Sequence, residues 1–351
     1  MLNWYCTIED VTGALDFKTT PRDTAQVRRA IANASRAVDD ACDRPEGAFR
    51  PATATRYFDW PTEQTAPRWR LWLDAVHLIS VSALTSGGVT IGASDYFLEP
   101  QRYGPPYNRI EIDRGGSASF DYTDDTSQRA VAVTGLWGAC ADDRASAGTL
   151  DGSINASVAS LTVSDGSAVG IGDHLIIGTE RLEVTARTWT DSGQNLGGDL
   201  GALASATSVP VGTGSEYTAG ELIAIDAERM RITDVIGNNL TVERAQDGTV
   251  LAAHTTGADI YAYRGCTVTR GAAGSMASSH TDGDTIERHV VPGDVWAATV
   301  GGALATILQE QAGYSRAPGQ GQNAMLPAGR DLPTLLAQVE AAHGRIRVRV
   351  V

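Results

Sequence analysis

The chain has 351 residues, 42% hydrophobic and 20% charged, with 28 Lys+Arg against 42 Asp+Glu for a net charge of −14. Single cores stop growing below this length, so two or three domains are expected, and the negative field works against binding nucleic acid or anionic membrane. Cys6, Cys42, Cys140 and Cys266 stand singly, without the C-x-x-C spacing of a zinc or redox site, and fit reduced thiols in a cytosol.

The opening "MLNWYCTIEDV" has acidic residues where a signal peptide needs a basic start, and no window approaches 18 consecutive apolar residues. An unexported chain without a membrane span is the expectation. In "TTPRDTAQVRRAIANASRAVDDACDR", Thr20 suits an N-cap, Pro21 the first helical position and Asp23 the first turn. Val27, Ala30, Ile31, Ala34, Val38, Ala41 and Cys42 recur at helical spacing and make one apolar face. From Thr53 to Gly138 short runs rich in aromatic and β-branched residues ("TRYFDW", "RWRLWLDAVHLISVSALT", "DYFLEP", "RIEID", "RAVAVTGLWG") are broken by Gly, Pro and Asp, which predicts a small β unit.

Between about Ser153 and His289 Gly, Thr, Ser and Val dominate, and two repeats stand out. Residues 161–185 align without a gap to 209–233, 48 positions on, sharing G-[DE]-x-[LI]-x-I-x-x-E-R-[LM]-x-[VI]-T. Residues 241–260 align to 267–286, 26 positions on, sharing T-V-x-R-x-x-x-G-x-x-x-x-x-H-T-x-G-x-x-I. Repeats at fixed offsets signal duplicated structure. Alternation at Leu175/Ile177 and Leu182/Val184, and at Ile223/Ile225 and Met230/Ile232, predicts a half-buried hairpin in each copy. Two consecutive β modules are expected, with a boundary near Gly201, the second continuing through the 26-residue repeat and the first lacking the R-x-x-x-G…H half.

Helical periodicity returns in "VPGDVWAATVGGALATILQEQAG", with Trp296, Val300, Leu304, Ile307, Leu308 and Gln311 along a stripe and Gly313 as a stop. A second helix, "DLPTLLAQVEAAHG", follows an irregular "SRAPGQGQNAMLPAG", with Asp331 as its cap and Gly344 as its end. The tail alternates Arg345, Arg347 and Arg349 with Ile346, Val348 and Val350, a strand with one basic and one apolar face. Its arginines suit phosphate contacts; in an acidic protein, pairing with the sheet edge of another protein is favoured.

Few residues suggest chemistry. His254 and His280 are candidate metal ligands, but only Asp282 and Asp284 lie near one and Asp259 near the other, so each histidine is expected to close a turn. The repeated Glu180-Arg181 and Glu228-Arg229 fit an outward ion pair in each hairpin better than acid–base catalysis. "DYTDDT" and "CADDR" lack EF-hand spacing and read as solvated turns, and G-x-S-x-G, Walker A and H-E-x-x-H motifs are absent. Trp72 and Trp137 are expected in the core rather than on a ligand platform. No catalytic residue, metal or cofactor is assigned.

"YCTIEDVTGALDF", the helix ending "IANASRAVDDACDR", "TRYFDW", "LWLDAVHLISVSALT", "DYFLEP" and "VAVTGLWG", taken in order with the final 60 residues, resemble the head-to-tail connector (adaptor) proteins of long-tailed bacteriophages. In that family a G-x-W-G strand is soon followed by V-P and a helix; here "VVPGDVWAATVGGALA" supplies that helix only after the duplicated region, so an insertion lies between Gly138 and Val291. The inserted repeats resemble β repeats of phage virion proteins, "I-x-I-G-x-E-x-M-x-V … V-x-R-G-x-x-G-T-x-x-x-x-H", from which "GAAGSM" departs.

The resemblance implies an α+β fold: a small helical bundle core with a short β unit (1–139 and 291–351) and an inserted all-β region of two modules (140–206 and 207–290). It implies a non-enzymatic virion neck protein of a siphophage, assembled in the bacterial cytoplasm. Such a protein forms a ring, twelvefold in this reading, beneath the portal protein, meets a tail-proximal neck or tail terminator protein, and lets double-stranded DNA pass through its lumen without specific binding. Val27, Ile31, Val38, Trp296, Val300 and Leu304 would pack subunits together. Arg345, Ile346, Arg347, Val348, Arg349 and Val350 would dock on the portal or a neighbour. Two rival readings stand: a tail or baseplate protein whose repeats bind a host glycan, with Trp189 and Tyr217 as platforms, and a hydrolase with an unrecognised site.

Overall fold

The computed structural model describes residues 2–15, 21–61, 67–73, 77–122, 126–311 and 331–345. Four helices are described: α1 (Ile8–Leu15), α2 (Pro21–Ala41), α3 (Gly293–Gln311) and α4 (Leu332–His343). The apolar stripe read from α2 is its buried face, and it packs on α3 from the far end of the chain. Val27, Ile31 and Ala34 share one cluster with Val300, Ala303, Ile307 and the N-terminal Trp4 and Val11. Val38 continues into a second cluster with Phe49, Cys140, Val295 and Val339 of α4. Gly344 ends α4 as expected, but the side chain of Asp331 makes no capping bond. No helix among the described residues is long and apolar enough to cross a membrane.

Seven strands follow α2: β1 (Ala52–Phe58), β2 (Arg70–Trp72), β3 (Leu78–Ser86), β4 (Val89–Thr90), β5 (Tyr96–Glu99), β6 (Arg109–Ile112) and β7 (Val131–Trp137). They form a four-stranded sheet, β1-β7-β3-β4, and a three-stranded one, β2-β6-β5. Between them lies a core of Leu71, Leu84, Ile110, Val133 and Trp137. Trp137 is core, as expected; Trp72 is 47% exposed, on the outer face beside Arg70 and Arg109.

Residues 144–289 form a ten-stranded antiparallel sheet: β8 (Arg144–Asp151), β9 (Ser160–Val163), β10 (His174–Ile177), β11 (Glu180–Asn195), β12 (Ser208–Pro210), β13 (Leu222–Ile225), β14 (Glu228–Ile236), β15 (Asn239–Glu243), β16 (Asp259–Thr269) and β17 (Thr285–His289). Its pairings close on themselves twice. The outer barrel runs β11-β10-β17-β8-β9-β16 and returns to β11. The inner barrel runs β16-β13-β14-β15-β12 and returns to the end of β11 through the Gly197 N–H, which donates to Pro210 O at 2.8 Å. The long strands β11 and β16 form a ribbon through both. Each barrel has its own core, Leu150, Val163, Leu175, Leu182, Val268 and Ile286 in one, Val209, Ile223, Met230, Ile232, Leu240 and Ile260 in the other.

The two copies are nested, not consecutive, and this corrects the expected order. Residues 267–286 belong to the outer barrel, supplying the half that the first module had been expected to lack. Thr188↔Gly265 and Val184↔Val268 pair in the outer copy as Ile236↔Asn239 and Val242↔Ile232 do in the inner one, and both ladders bulge at the equivalent Thr185 and Thr233. The inner copy therefore occupies the place that its own two-residue turn, Gly237-Asn238, occupies in β14–β15.

The expected fold class is also corrected. The chain is 36% strand and 22% helix, so the helices flank sheets instead of forming a bundle core. The helical signals near both termini were strong, whereas about two thirds of the strand residues lie in a Gly/Ser/Thr-rich region whose periodicity is weak. Thr20, Gly313 and the segment 346–350 (Ile346, Arg347, Val348, Arg349, Val350) lie outside the described residues. Arg345 lies inside them, its backbone N–H donating to Cys42 O at 3.0 Å.

Candidate functional site

The repeated glutamates, arginines and histidines meet in two equivalent buried clusters, one per barrel. In the inner barrel Glu228, at the start of β14, receives Arg244 Nε and Nη2 at 2.7 Å each, the N–H groups of Ala245 and Ala252 at 3.0 Å, and lies 3.0 Å from His254 Nε2. In the outer barrel Glu180 receives Arg270 Nε and Nη2 at 2.7 and 2.8 Å, the N–H groups of Gly271 and Ser278 at 3.0 Å, and lies 2.8 Å from His280 Nε2. The other histidine nitrogen faces a further acid, Asp226 at 2.8 Å or Asp284 at 3.8 Å.

The arginine completes the knot by bonding carbonyls of the loops around it. Arg270 donates to Asn155 O, Val158 O and Ser278 O; Arg244 donates to Gly201 O, Ala206 O and Ala252 O. Both glutamates are fully buried. Burial alone would raise their pKa, but the arginine, the two N–H donors and the histidine together outweigh it and hold each carboxyl at about 2. With five donors each, these carboxylates have no lone pair left for a substrate and no affinity for a proton near neutrality. The clusters tie loops together; they do not perform acid–base chemistry.

This corrects the expected outward Glu-Arg pairs. Glu180 and Glu228 point inward, while Arg181 turns to Asp142 at 2.6 Å and Arg229 to Asp247 at 3.3 Å. Strand alternation sends neighbours to opposite faces, so adjacent Glu and Arg were poor candidates for a mutual pair. The true partners, Arg270 and Arg244, stood in the 26-residue repeat. Among the described residues no group of three or more His, Cys, Asp or Glu could hold a metal ion.

Other expected site residues are dispersed. Val27, Ile31, Val38 and Val300 are spent inside the chain, Leu304 is half-buried, and Trp296 is 41% exposed with its Nε1 donating to Asp10. Of the glycan-platform pair, Tyr217 is buried with its hydroxyl on Ser192. Trp189 is half-buried and tilted against Tyr263, ring centroids 4.9 Å apart, with Arg229 over its ring.

Two open spaces flank the seam between core and barrels. One, of about 410 Å³, is bordered by Cys6, Arg50, Asp173, Arg288 and His289. The other, of about 620 Å³, lies between α1 and the inner barrel and is bordered by Glu9, Thr12, Gly220, Leu222, Arg229 and Arg231, among others. The seam itself is polar and buried. Arg50 donates to Trp4 O and Gly172 O, and burial pushes His174 down to about 4 despite the neighbouring Glu183.

No family model matches the chain, and no curated protein or solved structure is significantly similar to it. The architecture is that of a mostly β protein in which one barrel is nested within the chain of another and both are carried by a mixed core.

Proposed function

We propose that the chain is a structural subunit of a phage head-to-tail connector, a ring between portal and tail. The observation that supports this reading is the reunion of the segments that carry the resemblance. The helix of 21–41 and the helix of 293–311, separated by the whole insertion, share one apolar cluster with the N-terminal segment. Ala139 and Cys140, just after the "GLWG" strand, share a second with Val295 and Ala298 of the "VVPGDVW" helix. A discontinuous core of this kind is what an insertion into a connector leaves intact. The net charge of −14 suits a lumen past which DNA slides without sticking.

The buried Glu–Arg–His clusters fit a structural scaffold, since each fastens distant loops without offering a reactive group. Electron microscopy of the purified chain, alone and mixed with the portal protein of the same phage, tests the proposal. Rings seated on the portal are expected; a monomer that never joins the portal defeats it. Of the residues named for the glycan reading, Tyr217 is buried, while Trp189 borders the 620 Å³ cleft, tilted against Tyr263 with Arg229 over its ring.

A further inference from the structure

The duplication allows each position of one barrel to be compared with its twin, and one face differs sharply in what covers it. On the outer barrel that face includes Gly172, His174, Ile176, Glu183 and the turn Gly271–Gly274. The N-terminal segment and β1 seal it. The Trp4 ring lies so close to Gly172 that an added Cβ would sit 2.9 Å from it, and Cys6 O lies 3.3 Å from the same point. The Leu2 N–H donates to Glu183, and the Thr53 carbonyl lies against Gly274. His174 and Ile176 are consequently buried although they point away from the barrel's own core.

The twin positions, 48 residues on, are Gly220, Leu222, Ala224 and Arg231, and the twin turn, 26 residues back, is Ala245–Gly248. The backbone is reproduced closely: Gly172 and Gly220 both have positive φ, at 107° and 99°, and donate to Val184 O and Ile232 O respectively. Yet Gly220, Leu222, Arg231 and the turn border the open 620 Å³ cleft, where only the small Ser167 side chain approaches Gly220. A cleft of this size falls in the range of about 300–1,000 Å³ typical of ligand sites.

Two substitutions between the twins say what the inner seat would take. Glu183, which receives an N–H from the N-terminal segment, is replaced by Arg231, which is exposed and makes no ion pair among the described residues. His174 is replaced by Leu222, which is apolar. Arg229, a partly exposed arginine of the cleft, is already matched by Asp247, and Arg187 is held by the carbonyls of Val169, Gly166 and Tyr263. Arg231 is therefore the one arginine of the cleft left to recognise a ligand charge.

We propose that the inner barrel's face is a seat for a short peptide segment of another chain, bound as Leu2–Cys6 is bound on the outer barrel, with an acidic side chain against Arg231. The seat offers shape through its positive-φ glycine, an apolar patch at Leu222 and one unmatched cation, which is the recognition chemistry of a short acidic peptide. It stands independently of the connector reading.

The test uses the full chain and fluorescein-labelled octapeptides of its residues 1–8 carrying either Leu2→Glu or Leu2→Lys, followed by fluorescence anisotropy at low salt under reducing conditions. The Glu peptide is expected to bind saturably and at least about fivefold more tightly than the Lys peptide, since one comparison spans attraction and repulsion at an exposed charge. The exposed substitution Arg231→Glu is expected to reverse that preference with the far-UV circular dichroism unchanged, any loss of thermal midpoint reflecting the second acid it sets opposite Glu243. Absence of saturable binding by either peptide overturns the proposal, as does equal binding of the two or a preference that Arg231→Glu leaves in place.

Discussion

At the scale of single residues, each Glu–Arg–His knot is an all-or-nothing arrangement. Removing Glu228 strands the Arg244 guanidinium, whose side chain is 3% exposed, among carbonyls with no counter-charge. Glu228→Ala is expected to cost on the order of 3–5 kcal/mol, and Glu180→Ala a similar amount, read from chemical denaturation midpoints. A cost below about 1 kcal/mol would show that the knots are incidental. The same carboxyls set an acid limit. Their folded pKa of about 2 lies below the ordinary 4.5, so their stabilisation is complete above about 4.5 and is lost as pH falls toward 2. The repeated Glu, Arg and His were legible in the sequence as equivalent points of a scaffold. Their pairing was not, because a partner 90 positions away leaves no local spacing to read.

At the scale of elements, the twin turns Ala245–Gly248 and Gly271–Gly274 separate backbone strain from docking. Gly248 and Gly274 share φ of 75°, so alanine at either meets the left-handed penalty of about 1–2 kcal/mol. At Gly274 the new Cβ also falls 2.0 Å from the Thr53 carbonyl, whereas the turn of Gly248 borders the open cleft. Gly274→Ala is therefore expected to destabilise more than Gly248→Ala, measured by differential scanning calorimetry. Equal effects would mean the outer turn does not bear on β1. A harsher test replaces residues 189–264 by Gly-Asn, joining Thr188 to Gly265 as Ile236 is joined to Asn239. A cooperatively unfolding protein with one barrel is expected by circular dichroism; an aggregated or unfolded product contradicts the nested reading. Nesting was written in the numbers: Glu and Arg stand 90 residues apart in the outer copy and 16 in the inner, a difference of 74 that equals the 48- and 26-residue offsets taken together. Read as a chain-order pattern, the offsets suggested tandem modules; read as a spatial one, they require insertion into a hairpin.

At the scale of the whole molecule, the seam between core and outer barrel should respond to mild acid. His174 is held neutral by burial, down to about 4, while an unfolded histidine takes up its proton near 6.5, and His289 is lowered for the same reason. The seam's contribution is thus full above about 6.5 and declines as pH falls toward 4. His174→Leu, which copies Leu222 of the inner barrel, is expected to flatten that part of the stability profile in guanidinium titrations at pH 8, 6 and 4.5. An unchanged slope would assign the effect elsewhere. The apolar stripe of α2 and the small β unit were readable from periodicity, whereas the stripe expected on α3 was read only in part, since its Trp296 and Leu308 are 41% exposed. The dominance of β structure was not readable, since the barrel strands gain their stability from closure and shared cores that no single window of sequence displays.

The nested barrels also set an order of events during folding. β11 and β16 pair as the two sides of a hairpin whose tip is an entire domain, so the outer barrel cannot close until residues on both sides of the inner one are present. Were the inner segment still a random chain, joining Glu180 to Arg270 would carry about 1.5 kcal/mol more loop-closure entropy than joining Glu228 to Arg244, from their separations of 90 and 16 residues. Once the inner barrel has formed, its ends already lie side by side and that excess disappears. A folded inner barrel would thus act as a splint for the outer one, and the surrounding core is incomplete without the helix after β17.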